Sequence, residues 1–308
     1  MKQLVILSGK GGTGKTSVAA AFAQLAFESE PALRAALADA DVDAANLELV
    51  LGPRRVEQHD FVAGSVAVID DRACARCGRC HDVCRFEAVV PPAAAGGAGT
   101  GGAAYSIDPI ACEGCAACVH QCPEQAIAME AQLAGRWFRS TTRYGPLVHA
   151  ALRPGQDNSG KLVTLVKQQA RLLAMDQGLD MVLVDGPPGI GCPVISAASG
   201  ADLALIVTEP TAAGIHDMQR ILATVAHFRV PALVCINKSD IHPAGSEQIA
   251  RLCRRQGVDV VGLVPYDATV TEAMVRAQPV TAYRPSAPAG QALAAVWQRV
   301  AQRLTAVS

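Results

Sequence analysis

The chain has 308 residues, enough to bury a large core and carry a second, small domain. Apolar residues make up 50%, yet no apolar run reaches the roughly 20 residues that span a bilayer, so stable membrane insertion is not expected. A net charge of −1 offers no broad field to attract DNA, RNA or anionic lipid, and no nucleic-acid partner is expected. The first residues lead directly into an apolar run, with no signal-peptide pattern, which points to the cytoplasm. Eleven cysteines are out of place there as structural disulfides, so their spacing has to account for them.

Leu4-Val5-Ile6-Leu7 reads as a buried strand and Val18-Ala19-Ala20-Ala21-Phe22-Ala23 as a helix. Between them Gly9, four residues, then Gly14-Lys15-Thr16 form a phosphate-binding loop in its strand–loop–helix setting. Its glycines let backbone N–H groups turn inward, and the helix N-terminus adds partial positive charge. The nucleotide-binding candidates are Gly9, Lys10, Gly11, Gly12, Thr13, Gly14, Lys15, Thr16 and Ser17. Lys15 suits the β- and γ-phosphates, and the Thr16 hydroxyl suits Mg²⁺.

Lys10 adds a second lysine at the start of the loop. Lys-Gly-Gly-Thr-Gly-Lys-Thr resembles the deviant loop of the MinD/ParA-type ATPases, which include Mrp-type iron–sulfur ATPases and the nitrogenase iron protein. The resemblance implies a homodimer that sandwiches two ATP molecules, with Lys10 reaching the partner's nucleotide. Lys10, Lys15 and Asp41 are then the catalytic candidates. Ala35-Ala36-Leu37-Ala38-Asp39 reads as a second strand running into Asp41 and Asp43. By resemblance this stretch is switch I: Asp41 positions the attacking water and Asp39 lies near the outer shell of Mg²⁺.

From about Phe61 the pattern changes. Val66-Ala67-Val68-Ile69-Asp70 is a short strand candidate. Then comes Cys74-x₂-Cys77-x₂-Cys80-x₃-Cys84, and later Cys112-x₂-Cys115-x₂-Cys118-x₃-Cys122-Pro123. This resembles the run of bacterial two-cluster ferredoxins, occurring twice. The resemblance implies crossed ligation: Cys74, Cys77, Cys80 and Cys122 hold one [4Fe–4S] cluster, and Cys84, Cys112, Cys115 and Cys118 hold the other. Zinc competes for such pairs. Arg85 stands where the first run would carry the proline that Pro123 supplies in the second. Pro91 to Gly102 reads as a low-complexity linker, and Tyr105-Ser106-Ile107-Asp108 mirrors the strand before the first run, so the segment is an internal repeat.

From about Gly135 alternating strand and helix signals return. Trp137-Phe138-Arg139-Ser140 suggests a short strand. A polar turn over Gly155 to Lys161 leads to a helix, with Ser159 as N-cap and Leu162, Leu165, Val166 and Leu172 as its apolar face. Met181-Val182-Leu183-Val184-Asp185 is a buried strand whose terminal acid suits Mg²⁺. By resemblance, Gly186-Pro187-Pro188-Gly189 is switch II. Mrp-type ATPases carry a Cys-Pro-x-Cys pair; Cys192-Pro193 is followed by Ile195 at the second position. Cys192, Cys235 and Cys253 therefore read as buried small residues.

Leu203 to Thr208 is the next strand, ending in Glu209-Pro210-Thr211, a segment found beside the nucleotide in the resembled family. Helix Gly214 to Phe228 and strand Ala232 to Asn237 follow. Asn237-Lys238-Ser239-Asp240 is a base-recognition candidate; its form is shared with GTPases, but the resemblance favours ATP. By resemblance, Pro265 and Asp267, after strand Val261 to Val264, would close over the base. Leu293 to Leu304 reads as a helix on the sheet, and no amphipathic membrane-binding segment is evident after Val300.

The expected fold is α/β, a doubly wound, mostly parallel P-loop sheet over 1–62 and 134–308, with a small α+β ferredoxin-like insert over 63–133. The expected cofactors are ATP, Mg²⁺ and two [4Fe–4S] clusters. The leading functional expectation is a Mg-dependent ATPase gating electron transfer to a partner redox protein. The alternatives are an iron–sulfur carrier acting on a client protein, and a redox-sensing MinD-like positioning ATPase.

Overall fold

The computed structural model describes residues 1–92, 105–156 and 159–306. The chain runs through β1 (Lys2–Ser8), α1 (Lys15–Glu28), β2 (Ala35–Asp39), α2 (Leu47–Leu51) and β3 (Arg54–Ile69). Four short elements follow: α3 (Arg79–Val83), β4 (Val89–Val90), β5 (Ser106–Ile107) and α4 (Ala117–Gln121). Next are β6 (Ile127–Thr142), β7 (Gly145–Leu152), α5 (Ser159–Asp176), β8 (Met181–Pro188), α6 (Cys192–Ala198), β9 (Leu203–Thr208) and α7 (Ala212–His227). β10 (Ala232–Asn237), α8 (Pro243–Arg255), β11 (Asp259–Val264), α9 (Thr269–Val275), α10 (Val280–Tyr283) and α11 (Pro288–Ala306) complete them.

Nine strands form one sheet in the order β11-β10-β9-β1-β8-β2-β7-β6-β3. β1 lies between β8 and β9 and runs parallel to both, with Val5 opposite Val184 and Ala204. The pairs β2–β8, β2–β7, β9–β10 and β10–β11 are also parallel. A strand covered on both faces has no wet side to tolerate polar alternation, which is why β1 reads as an unbroken apolar run. Leu4 through Leu7 are fully buried. α1 is alanine-rich and buried along most of its length, so its backbone can approach the sheet closely. Phe22 fills the remaining space against Trp297 of α11, with ring centroids 5.0 Å apart.

The chain divides into two compact units. One comprises Met1–His59, Arg136–Leu152 and Ser159–Ser308; the other comprises Asp60–Gly135 and Arg153–Asn158. The boundaries fall inside β3 and β6. The second unit has its own small core of Ala67, Cys80, Val89, Cys118 and Ile127, and an antiparallel β4–β5 pair.

Several elements differ from the sequence expectation. β3 and β6 are each 16 residues long, far beyond the short strands read at Val66 and Trp137. Near Trp137 their facing residues are held by polar and aromatic pairs instead of an apolar stripe. His59 stacks on Trp137 at 4.1 Å, Arg139 reaches Glu57, and the Arg55 guanidinium lies 4.3 Å over Phe138. α5 begins at Ser159 itself, and its buried face is Leu162, Val163, Val166, Lys167, Ala170 and Ala174. Leu172 is exposed, because four-residue steps from Leu162 and Val163 run through Val166, Lys167, Ala170 and Ala174 on the other side. Cys235 and Cys253 are buried, but Cys192 is exposed, at the first turn of α6 after Gly191. Of the expected linker, residues from Ala93 onward lie outside the described residues, as do positions 157 and 158 of the polar turn.

Candidate functional site

The phosphate loop joins the carboxyl end of β1 to the first residue of α1, beside the ends of β8 and β9. Glycine is required at two of its positions. Gly14 has φ +94°, and a Cβ there would sit 2.4 Å from Asn237 Nδ2. A Cβ on Gly9 would sit 2.1 Å from the Asp217 Cβ of α7. Side chains tie down three loop carbonyls. Ser8 Oγ donates to the Lys10 carbonyl (2.8 Å), Lys238 Nζ to that of Gly12 (3.1 Å) and Asn237 Nδ2 to that of Thr13 (2.8 Å).

A cavity of about 640 Å³ opens over this loop. Gly11, Gly12, Gly14, Lys15, Thr16 and Ser17 form its floor, and Asp41, Asp43, Pro187 and Pro188 flank it. Asn237, Lys238, Pro265, Tyr266 and Asp267 also line it, together with the apolar Val264, Val270, Met274 and Leu293. Gly9, Lys10, Thr13, Asp39 and Asp185 are not in its lining.

The acids divide by what holds them. Asp39 is fully buried; its oxygens accept N–H groups from Asp41 (3.2 Å) and Leu47 (2.9 Å), so it ties the loop after β2 to the strand end. Burial, reinforced by Asp185, raises its carboxyl well above the usual range. Asp185, at 1% exposure, has no hydrogen-bond partner of good geometry on either oxygen among the described residues. Burial pushes it up to about 6, although Lys15 and the nearby Thr16 hydroxyl favour the charge. A buried, orphaned carboxylate beside a threonine hydroxyl and a phosphate loop is a fitting oxygen donor set for Mg²⁺. Asp41 is raised by burial and by Asp43 against the pull of Lys15.

Lys10 is held by Glu209, at the end of β9, with Nζ 3.0 Å from Oε2. Lys238 holds the other oxygen at 2.5 Å. Burial alone would raise the Glu209 carboxyl, but hydrogen bonds from Lys238 and Lys10 outweigh it and keep the group below its usual range. Asp240 accepts the Tyr266 N–H (2.6 Å), and Asp267 accepts those of Thr269 (2.9 Å) and Ala289 (3.2 Å). Both carboxylates therefore brace the loop after β11.

Sequence reasoning missed three features. The first is the double lysine grip on Glu209; its signal was an acid at the end of a strand next to β1. The second is Lys167, whose ammonium donates to the carbonyls of Ser196, Ala197 and Ser199, each at 2.7 Å, at the C-terminal end of α6. The third is buried His149, between Glu48 (3.2 Å) and Ser140 (2.9 Å). Nothing local in the sequence marks the last two.

In the second unit the eight cysteines of the paired runs surround two small cavities. Cys74, Cys77, Cys80 and Cys122 line one, with Ile69, Tyr105 and Ile127. Cys84, Cys112, Cys115 and Cys118 line the other, with Ala67, Val89 and Ile107. The repeat extends to the backbone. Arg76 and Gly114 have φ +58° and +65°, Gly78 and Ala116 have +78° and +60°, and Glu87 and Gln125 have +53° and +50°. Asp70 and Asp108 each cap their loop through Oδ1, accepting from Arg72 and Ile110 at 2.9 Å. Non-glycine residues in this region are uncommon, so their recurrence at matched positions shows that the two cysteine loops follow one backbone path. Among the described residues no three His, Cys, Asp or Glu side chains converge on a point suited to one metal ion.

The sequence matches the CobQ/CobB/MinD/ParA nucleotide binding domain over residues 4–280. It is 33% identical over 240 residues to Uncharacterized protein MJ0578 of Methanocaldococcus jannaschii, covering 78% of this chain and 79% of that protein. It is 27% identical over 159 residues to the iron-sulfur cluster carrier protein of Pyrococcus furiosus, covering 47% of this chain and 53% of the relative. The fold superposes on the septum site-determining protein MinD of Pyrococcus horikoshii, solved with Mg-ADP, with a TM-score of 0.58 at 17% identity over 100% of this chain and 98% of that one. With a phosphate loop at the centre of a parallel sheet and a family match spanning most of its length, the chain belongs to the CobQ/CobB/MinD/ParA nucleotide-binding family, as a P-loop ATPase of the MinD/ParA type.

Proposed function

We propose that this protein couples Mg-dependent ATP hydrolysis to two [4Fe–4S] clusters, and that its nucleotide state gates electron transfer to a partner redox protein. The observation that carries the reading is the division of eight thiols into two four-cysteine cavities in a chain that also has an ATPase site. The donor chemistry fits: each set offers four sulfurs around one small cavity, and backbone N–H groups of Arg76 and Ala126 point at Cys74 and Cys122 Sγ. A single zinc ion needs all four sulfurs within bonding distance of one point. A cube gives each thiolate its own iron, so the sulfurs stand apart. On this reading the second unit is a ferredoxin-like insert.

In the nucleotide site Lys15 and the loop amides take the phosphate oxygens and stabilise charge on the leaving group. Thr16 and Asp185 would hold Mg²⁺, which would neutralise phosphate charge there. Asp41, at the cavity edge, orients the attacking water. Lys10 leaves Glu209 and reaches the nucleotide of a second copy, so hydrolysis requires a homodimer. The base lies between Pro265 and the apolar wall, near Asn237.

The test is anaerobic purification with iron quantitation and EPR of the reduced protein, with and without ATP. About eight irons per chain and an ATP-dependent change in the reduced signal are expected; a signal indifferent to ATP overturns the gating. A second reading, cluster delivery, draws on the likeness to a protein named as an iron-sulfur cluster carrier. Incubation with an apo-acceptor separates the two: retained iron favours electron transfer, and iron moved to the acceptor favours delivery.

A further inference from the structure

We propose that the two cysteine sets hold their clusters at different reduction potentials, and that Arg76 and Arg79 make the set of Cys74, Cys77, Cys80 and Cys122 the higher one. This rests on the cluster assignment proposed above. The backbone of the two loops is a matched pair, but the side chains it presents are not. In register, Arg76 stands opposite Gly114, Arg79 opposite Ala117, Ala75 opposite Glu113 and Glu124 opposite Phe86. Two guanidinium-bearing residues and one carboxylate therefore line the first cavity. The second is lined by one carboxylate, Glu113, and an aromatic ring, Phe86.

The hydrogen bonds to sulfur break the repeat in the same direction. The Arg76 N–H donates to Cys74 Sγ at 3.4 Å, and the Ala126 N–H to Cys122 Sγ at 3.3 Å. Among the described residues, the matched N–H groups of Gly114 and Ala88 make no such bond to Cys112 or Cys84. Reduction adds one negative charge to an already anionic thiolate-ligated cube. Cations and N–H donors around the sulfurs stabilise that charge, and a nearby carboxylate opposes it. Both differences favour reduction at the first set. An electron supplied by a low-potential one-electron donor consequently comes to rest there: the donor loses one electron and this site gains it. Cys77, between Arg76 and Arg79, is solvent-exposed, which places the reduced site at the surface.

The test is a potentiometric EPR measurement on the anaerobically purified full chain. Two separate midpoints are expected in the wild type. Arg76→Glu with Arg79→Glu should lower the higher midpoint and leave the lower one in place. Glu113→Arg should raise the lower midpoint and narrow the gap. Because these side chains are exposed, both shifts should shrink at high salt. A single wild-type midpoint overturns the proposal, as does an arginine variant that moves only the lower midpoint. A wild-type protein without cluster iron overturns the cluster assignment itself, which iron quantitation on the same sample distinguishes from a failure of the ordering alone.

Discussion

Asp185 is a buried carboxylate whose oxygens have no hydrogen-bond partner of good geometry among the described residues. Its folded pKa of about 6 lies above the roughly 4 of an unfolded carboxyl. The native state thus keeps a proton that the unfolded chain has already released, so the contribution of this group to native stability falls as pH rises from about 4 to about 6 and then levels off. A shift of this size corresponds to roughly 3 kcal/mol. Asp185→Asn removes the ionisation and should make the metal- and nucleotide-free protein more stable near neutral pH, by about 1–3 kcal/mol. Urea unfolding across that pH range checks it, and a less stable variant at neutral pH would contradict the assignment. The same variant should lose Mg-dependent hydrolysis. Lys15 is buried at the floor of the phosphate cavity. Lys15→Ala should cut ATP turnover on the order of 100-fold or more while leaving iron content unchanged; undiminished turnover would move the site elsewhere.

Among the elements, α5 and α6 are joined by a buried ion rather than by apolar packing alone. Lys167, lowered to about 8 by burial, donates to three carbonyls at the end of α6. Those carbonyls have no partner within the helix and carry its partial negative charge. Lys167→Met keeps the stem and removes the donors, and should cost about 1–3 kcal/mol in unfolding free energy, read by chemical denaturation. The elements differed in how legible they were. β1, β8 and β9 were readable because burial on both faces leaves an apolar run with an abrupt end. β3 and β6 were not, because Arg55, Glu57 and His59 pair with aromatic and charged neighbours across the sheet, and such contacts leave no period in either strand alone. α5 gave its existence and the start of its face, Leu162 and Val166, but not the rest, because alanine and the stem of Lys167 do the packing that Leu172 was expected to do.

For the molecule as a whole, the readable features were those that chemistry confines to fixed spacing. A phosphate loop and cysteine runs act through neighbours in the chain, so their signal survives in one dimension. Lys167 and His149 act on residues 29 and 9 positions away, and no local pattern announces them. Two outcomes test the assembled reading. Sedimentation of an Asp41→Ala variant with Mg-ATP should give a dimer, and Lys10→Ala should abolish it; dimers that ignore both nucleotide and Lys10 would exclude the sandwich. Cys80→Ser and Cys118→Ser should each remove about half of the iron, whereas Cys192→Ser should remove none.

The three tied carbonyls of the phosphate loop have a kinetic consequence. A peptide's C=O and N–H point in opposite directions, so fixing the carbonyls of Lys10, Gly12 and Thr13 from outside aims the next N–H groups the other way. The receptor for the phosphates is then in place before any phosphate arrives. Little backbone order remains to be gained on binding, and no slow rearrangement of the loop precedes capture. The observed association rate of a fluorescent nucleotide should therefore rise linearly with its concentration, and weaker analogues should differ mainly in how fast they leave.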